Sequence, residues 1–267
     1  MLKSLRALLP IGLVLALVPT CVTAQTTYTW NQTGTASYAT ATNWTPTRTT
    51  PAVNDILVFN NGATTTVTGV PTQTIGQLLA SSNTNVTLQS AGAVTLTING
   101  GTGTDLQVDA GSQLSFTGTA NAITMALAAG ATGSIGGSMT LSGTASVAHR
   151  LTAASASGIT FQSGSTFTEG TNFNGNPFGT ASLSSVVFAA GSTFVFLAGS
   201  NPFGAAAPSS VVVFQAGSLY RHQSSNAPSF SGRTYANYEQ NIASTITPTG
   251  GSAVVMNNPE MLRTRNS

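Results

Sequence analysis

The chain predicts an all-β fold: a right-handed parallel β-helix (β-solenoid) with an N-terminal cap. Three observations predict it. The pattern apolar-x-apolar-x-(Ala/Ser)-Gly-(Ser/Ala)-x-apolar recurs five times. It reads Leu106-x-Val108-x-Ala110-Gly111-Ser112-x-Leu114, then a weaker Met125-x-Leu127-x-Ala129-Gly130-Ala131 in which Gly133 replaces the last apolar residue. Ile159 to Phe167, Val186 to Phe194 and Val212 to Tyr220 complete the set, centred on Gly164, Gly191 and Gly217. Second, Asn176-Pro177-Phe178-Gly179 recurs as Asn201-Pro202-Phe203-Gly204. Third, no helix stands out after Ala24, and Ala205-Ala206-Ala207 runs into Pro208.

Strict alternation puts the apolar residues of each unit on one strand face and Thr, Ser or Gln on the other. Glycine accepts the positive φ that a tight bend requires, so each unit reads strand, bend, strand. One unit cannot bury its apolar face alone, whereas stacked units share a core. The widest interval between central glycines, from Gly130 to Gly164, predicts a degenerate turn near Gly143, beside Met139 and Leu141. Coils of the size set by these glycines suit two or three short strands per turn, about 4.8 Å apart between coils. Phe161, Phe188 and Phe214 then stack inside, as do Ile159, Val186 and Val212, with Thr and Ser in outer ladders. An antiparallel β-sandwich is the alternative. The in-register phenylalanines and matched turns favour the solenoid.

In chain order, residues 1–24 read as a secretory signal peptide. Lys3 and Arg6 precede an apolar run from Leu8 to Val18, and Val22-Thr23-Ala24 offers a small-residue cleavage site before Gln25. The run falls short of the roughly 20 residues that span a bilayer, which argues against a retained anchor. Cys21, the one cysteine, lies in this leader. A lipid-accepting role for it fits poorly with Val18-Pro19-Thr20. Without Lys3 and Arg6, six Arg (48, 150, 221, 233, 263, 265) face six acids (Asp55, Asp105, Asp109, Glu169, Glu239, Glu260). That neutral, lysine-free balance excludes backbone-driven nucleic-acid binding, which needs clustered cations. With 41% hydrophobic residues the chain is not of disordered composition. Residues 25–72 read as an N-terminal β cap module, 73–232 as solenoid repeats, and 233–267 as a terminal strand with an irregular tail.

The cap segment carries Tyr28-Thr29-Trp30-Asn31, Ala41-Thr42-Asn43-Trp44 and Pro51-Ala52-Val53-Asn54-Asp55-Ile56-Leu57-Val58-Phe59. Together with Ser231-Gly232-Arg233-Thr234-Tyr235-Ala236-Asn237-Tyr238, it resembles large extracellular β-helical surface proteins of Bacteroidetes that leave through the type IX system. It also resembles the β-strand repeats of autotransporter passengers. The resemblance covers roughly residues 28 to 257 and implies a secreted or surface-exposed β-helix with no shared activity. Relatives continue with further strands and a C-terminal sorting domain. Here Asn258 to Ser267 departs from the pattern, as a truncated or frame-shifted end or as a disordered tail. The expected location is extracellular or cell surface, or periplasmic if the sorting domain is absent.

No catalytic, cofactor or metal set is expected. Asp105 and Asp109 are the one close acidic pair comparable with a glycosidase dyad, and alternation puts both on one face, outward. Bonding to backbone at the bend is the simpler reading of Asp109. His149-Arg150 and Arg221-His222 lack the companions of a zinc site, and no Asp-rich calcium loop is present. Asn99-Gly100-Gly101-Thr102-Gly103 lacks the Lys-Ser/Thr of a phosphate loop. Trp30, Trp44, Tyr220 and Tyr235 are candidate carbohydrate contacts for extracellular glycans, as are Tyr28 and Tyr238. For the two tryptophans, plugging the open end of the solenoid is the competing role. The sequence therefore reads as a non-enzymatic structural or adhesin-like segment, with a polysaccharide-binding or polysaccharide-degrading β-helix as the alternative.

Overall fold

A computed structural model describes residues 25–117, 121–242, 255–256 and 263–264. The leader 1–24 and most of the irregular tail lie outside the described residues. Successive coils build the same three faces. The first face stacks Thr27–Trp30, Ile56–Phe59, Gln77–Ala80, Leu106–Val108, Gly133–Ile135, Ile159–Phe161, Val186–Phe188 and Val212–Phe214, all parallel. The second runs through Gly34–Ser37, Thr64–Thr68, Asn85–Leu88, Gln113–Phe116, Ser138–Leu141, Thr166–Glu169, Thr193–Phe196, Leu219–His222, Asn237–Gln240 and Arg263–Thr264. The third face is shorter, with Gln73–Ile75, Val94–Ile98, Ile123–Leu127 and Arg150–Ala153. Thr234–Tyr235 pairs separately with Val255–Met256. This is a parallel β-solenoid, as the repeat predicts, and not a sandwich. Among the described residues the single antiparallel pairing is Trp44–Thr45 on the outer edge of Thr27–Trp30.

The corner chemistry explains the Ala-Gly-Ser repeat. Gly111, Gly164, Gly191 and Gly217 have φ of +83°, +83°, +81° and +89°, a region that L side chains resist. The following serine closes the turn twice. In Ser165, Ser192 and Ser218 both the amide and the hydroxyl donate to the carbonyl three residues back, the hydroxyls at 2.6, 2.6 and 2.7 Å. Corners also stack, through Gly164 N–H to Gly191 O and Gly191 N–H to Gly217 O. The Asn-Pro-Phe-Gly turns take the place of a third-face strand in the later coils, where the Leu151 amide bonds to Pro177 O. Asn176 and Asn201 accept from the amides of Phe178 and Phe203, and Asn176 donates to Asn201 O one coil away.

Two expectations about the repeat need correction. The Gly130 unit belongs to another corner, since its strand Ile123–Leu127 lies on the third face. The missing copy is at Gly136-Gly137, not near Gly143. Register shows it: Leu106, Gly133, Ile159, Val186 and Val212 are successive partners, one per coil at near-constant spacing. That corner is shorter, and a Cβ on Gly137 would strike the carbonyl oxygens of Ser112 and Asp109, so it carries no Ala-Gly-Ser signature. Residues 25–72, read as the N-terminal β cap module, supply the first two rungs of both long faces as well as the cap upon them.

Core composition changes along the stack. Leu57, Leu78 and Leu106 follow one another on the first face near the N-terminal end. Toward the other end Phe161, Phe188 and Phe214 stack at 4.5 and 4.9 Å between centroids. Phe167, Phe194, Tyr220 and Tyr238 form a second column at 5.4, 5.0 and 5.7 Å. Each stacked pair adds roughly 0.5–1.5 kcal/mol beyond its area burial. Outside the second face, Thr35, Thr66, Thr87, Ser115, Thr140 and Thr168 line up in register as a polar ladder.

Candidate functional site

The cap is the densest cluster of sequence-flagged residues. Trp30 ends the first strand, and the short Trp44–Thr45 strand folds back beside it, so the two indoles meet edge to face at 4.9 Å. Both are about 1% exposed. The Trp30 indole N–H donates to Thr65 Oγ1 at 2.8 Å, and that of Trp44 to Tyr38 O at 3.0 Å. Arg48 lies over the rings of Tyr28, Tyr38 and Trp44 at 5.4 to 5.7 Å. Its guanidinium pairs with Asp55 (Nη2 to Oδ2 2.7 Å, Nε to Oδ2 2.8 Å), and Asp55 also accepts from the Ala52 amide. This arrangement seals the end of the sheet edge and core, which a terminal coil requires.

The carbohydrate candidates are corrected by their burial. Trp30, Trp44, Tyr220 and Tyr235 are all at most 2% exposed, and Tyr238 is buried with them. A sugar stacks on an exposed ring face, and here other core rings occupy those faces. The Tyr235 hydroxyl donates to Ser229 O at 2.7 Å. Strand alternation places Tyr220 in line with Phe167 and Phe194, a position that is inward in every coil.

The two aspartates do not form a dyad. Asp105 points inward, not outward, and is 2% exposed. It accepts from the amides of Gly101 (2.7 Å) and Thr132 (2.8 Å) and from Gln77 Nε2 (3.2 Å), joining three successive coils. Asp109 accepts from Gln107 Nε2 at the surface. Charge-assisted bonds of this kind contribute about 1.5–3 kcal/mol each. Asp105→Ala is therefore expected to cost about 3 kcal/mol in urea denaturation, while Asp109→Ala changes stability by under about 0.5 kcal/mol.

The histidines lie in different environments. The Ile123 amide donates to His149 Nδ1 (3.0 Å), so the ring proton is on Nε2, which donates to Ser142 O at 3.1 Å. Burial, chiefly, lowers its pKa to about 4. His222 continues the inner column beyond Phe196, parallel to it at 5.0 Å, and Nε2 donates to Asn226 O. Burial lowers its pKa as well. Above pH about 6.5 both states of His149 are neutral. Between that pH and about 4 the unfolded chain takes up a proton that the folded ring refuses, so stability falls with acid. His149→Phe is expected to flatten the fall in melting temperature between pH 6.5 and 4; an unchanged slope would refute this.

No family model, curated protein or solved structure matches this chain. The described residues contain no cluster of three or more His, Cys, Asp or Glu that could hold a metal, and no helix long and apolar enough to cross a membrane.

One group escaped the sequence reading. Glu169 is fully buried, in register with Leu141 on one side and Phe196 on the other. Neither carboxyl oxygen has a hydrogen-bond partner. Burial pushes its pKa well above the usual carboxylate range, and the Arg150 charge offsets only part of that. The signal was in the alternation: Glu169 is two residues beyond Phe167 and so shares its inward face.

Proposed function

We propose that the chain is a non-enzymatic extracellular structural or adhesin-like β-solenoid, a stalk segment of a cell-surface or secreted protein. The observation that carries this reading is the unbroken register of both long faces, with the flagged side chains joined to neighbouring coils. Eight first-face rungs make a stiff element roughly 35 Å long at the ~4.8 Å spacing of paired strands. Asp105, Arg48–Asp55 and the aromatic columns tie coil to coil, as suits a spacer that must keep its length. The leader read at residues 1–24 would export it, and the likeness to type IX substrates and autotransporter passengers belongs to the same proposal.

A glycan array together with reducing-sugar release from plant and bacterial polysaccharides tests the proposal. The expected result is no sugar release. Turnover that disappears on Asp105 or Asp109 substitution would replace the structural reading with that of a polysaccharide-degrading β-helix. Saturable glycan capture without turnover would establish the adhesin form.

A further inference from the structure

Arg233 lies just before the Thr234–Tyr235 strand, which packs against Val212–Phe214, the last described strand of the first face. It is one wall of a cavity of about 240 Å³ that is also bounded by Ser184, Phe203, Pro208, Val213 and Phe214. The guanidinium lies 5.6 Å from the Phe203 ring centre. Its Nε and Nη1 are buried without a hydrogen-bond partner. Asp55 holds Arg48, Glu239 holds Arg221, Asp105 holds backbone amides and Asp109 holds Gln107, while Glu169 is enclosed in the core of an earlier coil. No carboxylate among the described residues pairs with Arg233.

Arg233 is half-buried, and the two guanidinium nitrogens that lie out of water have ring contact but no hydrogen-bond acceptor, which is costly. Arginine presents a planar fork that matches a carboxylate with two parallel bonds. Most of the remaining wall is apolar, from Phe203, Pro208, Val213 and Phe214. The Ser210 hydroxyl is already bound to Val212 O at 2.8 Å. We infer that this cavity is a binding site for a small monocarboxylate with a compact apolar body, its carboxylate on Arg233. Val213, 36% exposed, forms part of the mouth.

Isothermal titration of the full-length protein with benzoate, benzamide and inorganic phosphate tests the site, since benzamide has the same shape without the charge. Benzoate is expected to bind saturably, with benzamide and phosphate at least about tenfold weaker. Arg233→Met removes the cation, and Val213→Glu supplies a competing carboxylate at an exposed position. Both are expected to abolish benzoate binding while retaining the β circular-dichroism spectrum. No saturable benzoate binding, equal binding of benzamide or phosphate, or full benzoate affinity in folded Arg233→Met would overturn the inference.

Discussion

Replacing Glu169 with leucine is expected to stabilise the protein by about 2–3 kcal/mol near neutral pH. For a chain of this size that is a rise of about 5–10 °C in melting temperature. The carboxyl is fully buried between Leu141 and Phe196, and both its oxygens lack partners. Leucine restores the apolar column at nearly the same volume. The pH dependence has a definite sign. Below the ordinary glutamate pKa both states are protonated and nothing is lost. As pH rises, the unfolded chain ionises while the buried group holds its proton, because its pKa is well above normal. Stability then declines by about 1.4 kcal/mol per pH unit until the folded pKa is passed. Glu169→Leu removes that decline, so its advantage in thermal melts grows as the pH rises above the ordinary glutamate pKa. If Arg150 formed a stabilising pair with Glu169, the leucine variant would melt lower instead.

Removing Asp55 has the opposite expected effect, a loss of about 3–5 kcal/mol. Arg48 and Asp55 are 4% and 1% exposed, and the guanidinium is enclosed by Tyr28, Tyr38 and Trp44. Asp55→Ala leaves that cation buried among the aromatic side chains without its counter-charge and frees the Ala52 amide. The double variant Arg48→Met/Asp55→Leu removes both charges and is expected to recover most of the loss, as buried ion pairs replaced by apolar residues commonly do. Urea denaturation of the single and double variants measures the coupling. A double variant as unstable as Asp55→Ala would show that ring contacts to Arg48, and not the missing counter-charge, hold the cap.

Much of the coil was legible because its cause is local. The Ala-Gly-Ser corners stand out in the sequence since a positive φ followed by a serine-closed turn favours those residues at those bends. Phe161, Phe188 and Phe214 were legible as a stack because alternation and spacing agree. The Gly136-Gly137 corner was not, because its shortness arises from contact with the preceding coil at Asp109 and Ser112. The coil around Ala80 was obscured by its own bend. The bend after Ala80 uses Ser82 and Asn83 at φ +58° in place of glycine.

Sidedness separates the tyrosines and acids. Tyr220 and Tyr235 read as candidate carbohydrate contacts, and the register puts them instead beside Phe194 and Phe203. Asp105 read as outward from its distance to Asp109, yet it precedes its strand and turns inward to the amides of two other segments.

Local sequence suffices to specify a stack of parallel coils, because each unit carries its own alternation and its own bend. Those are properties of a few adjacent residues and the two-residue period of a strand. How deeply a polar group lies in the core is settled in three dimensions. Burial depends on the coils above and below, which are a full turn of chain away and invisible to local pattern. Asp105 and Arg233 derive their character from those distant neighbours, whereas for Glu169 alternation gives the inward side and the adjoining coils give the burial.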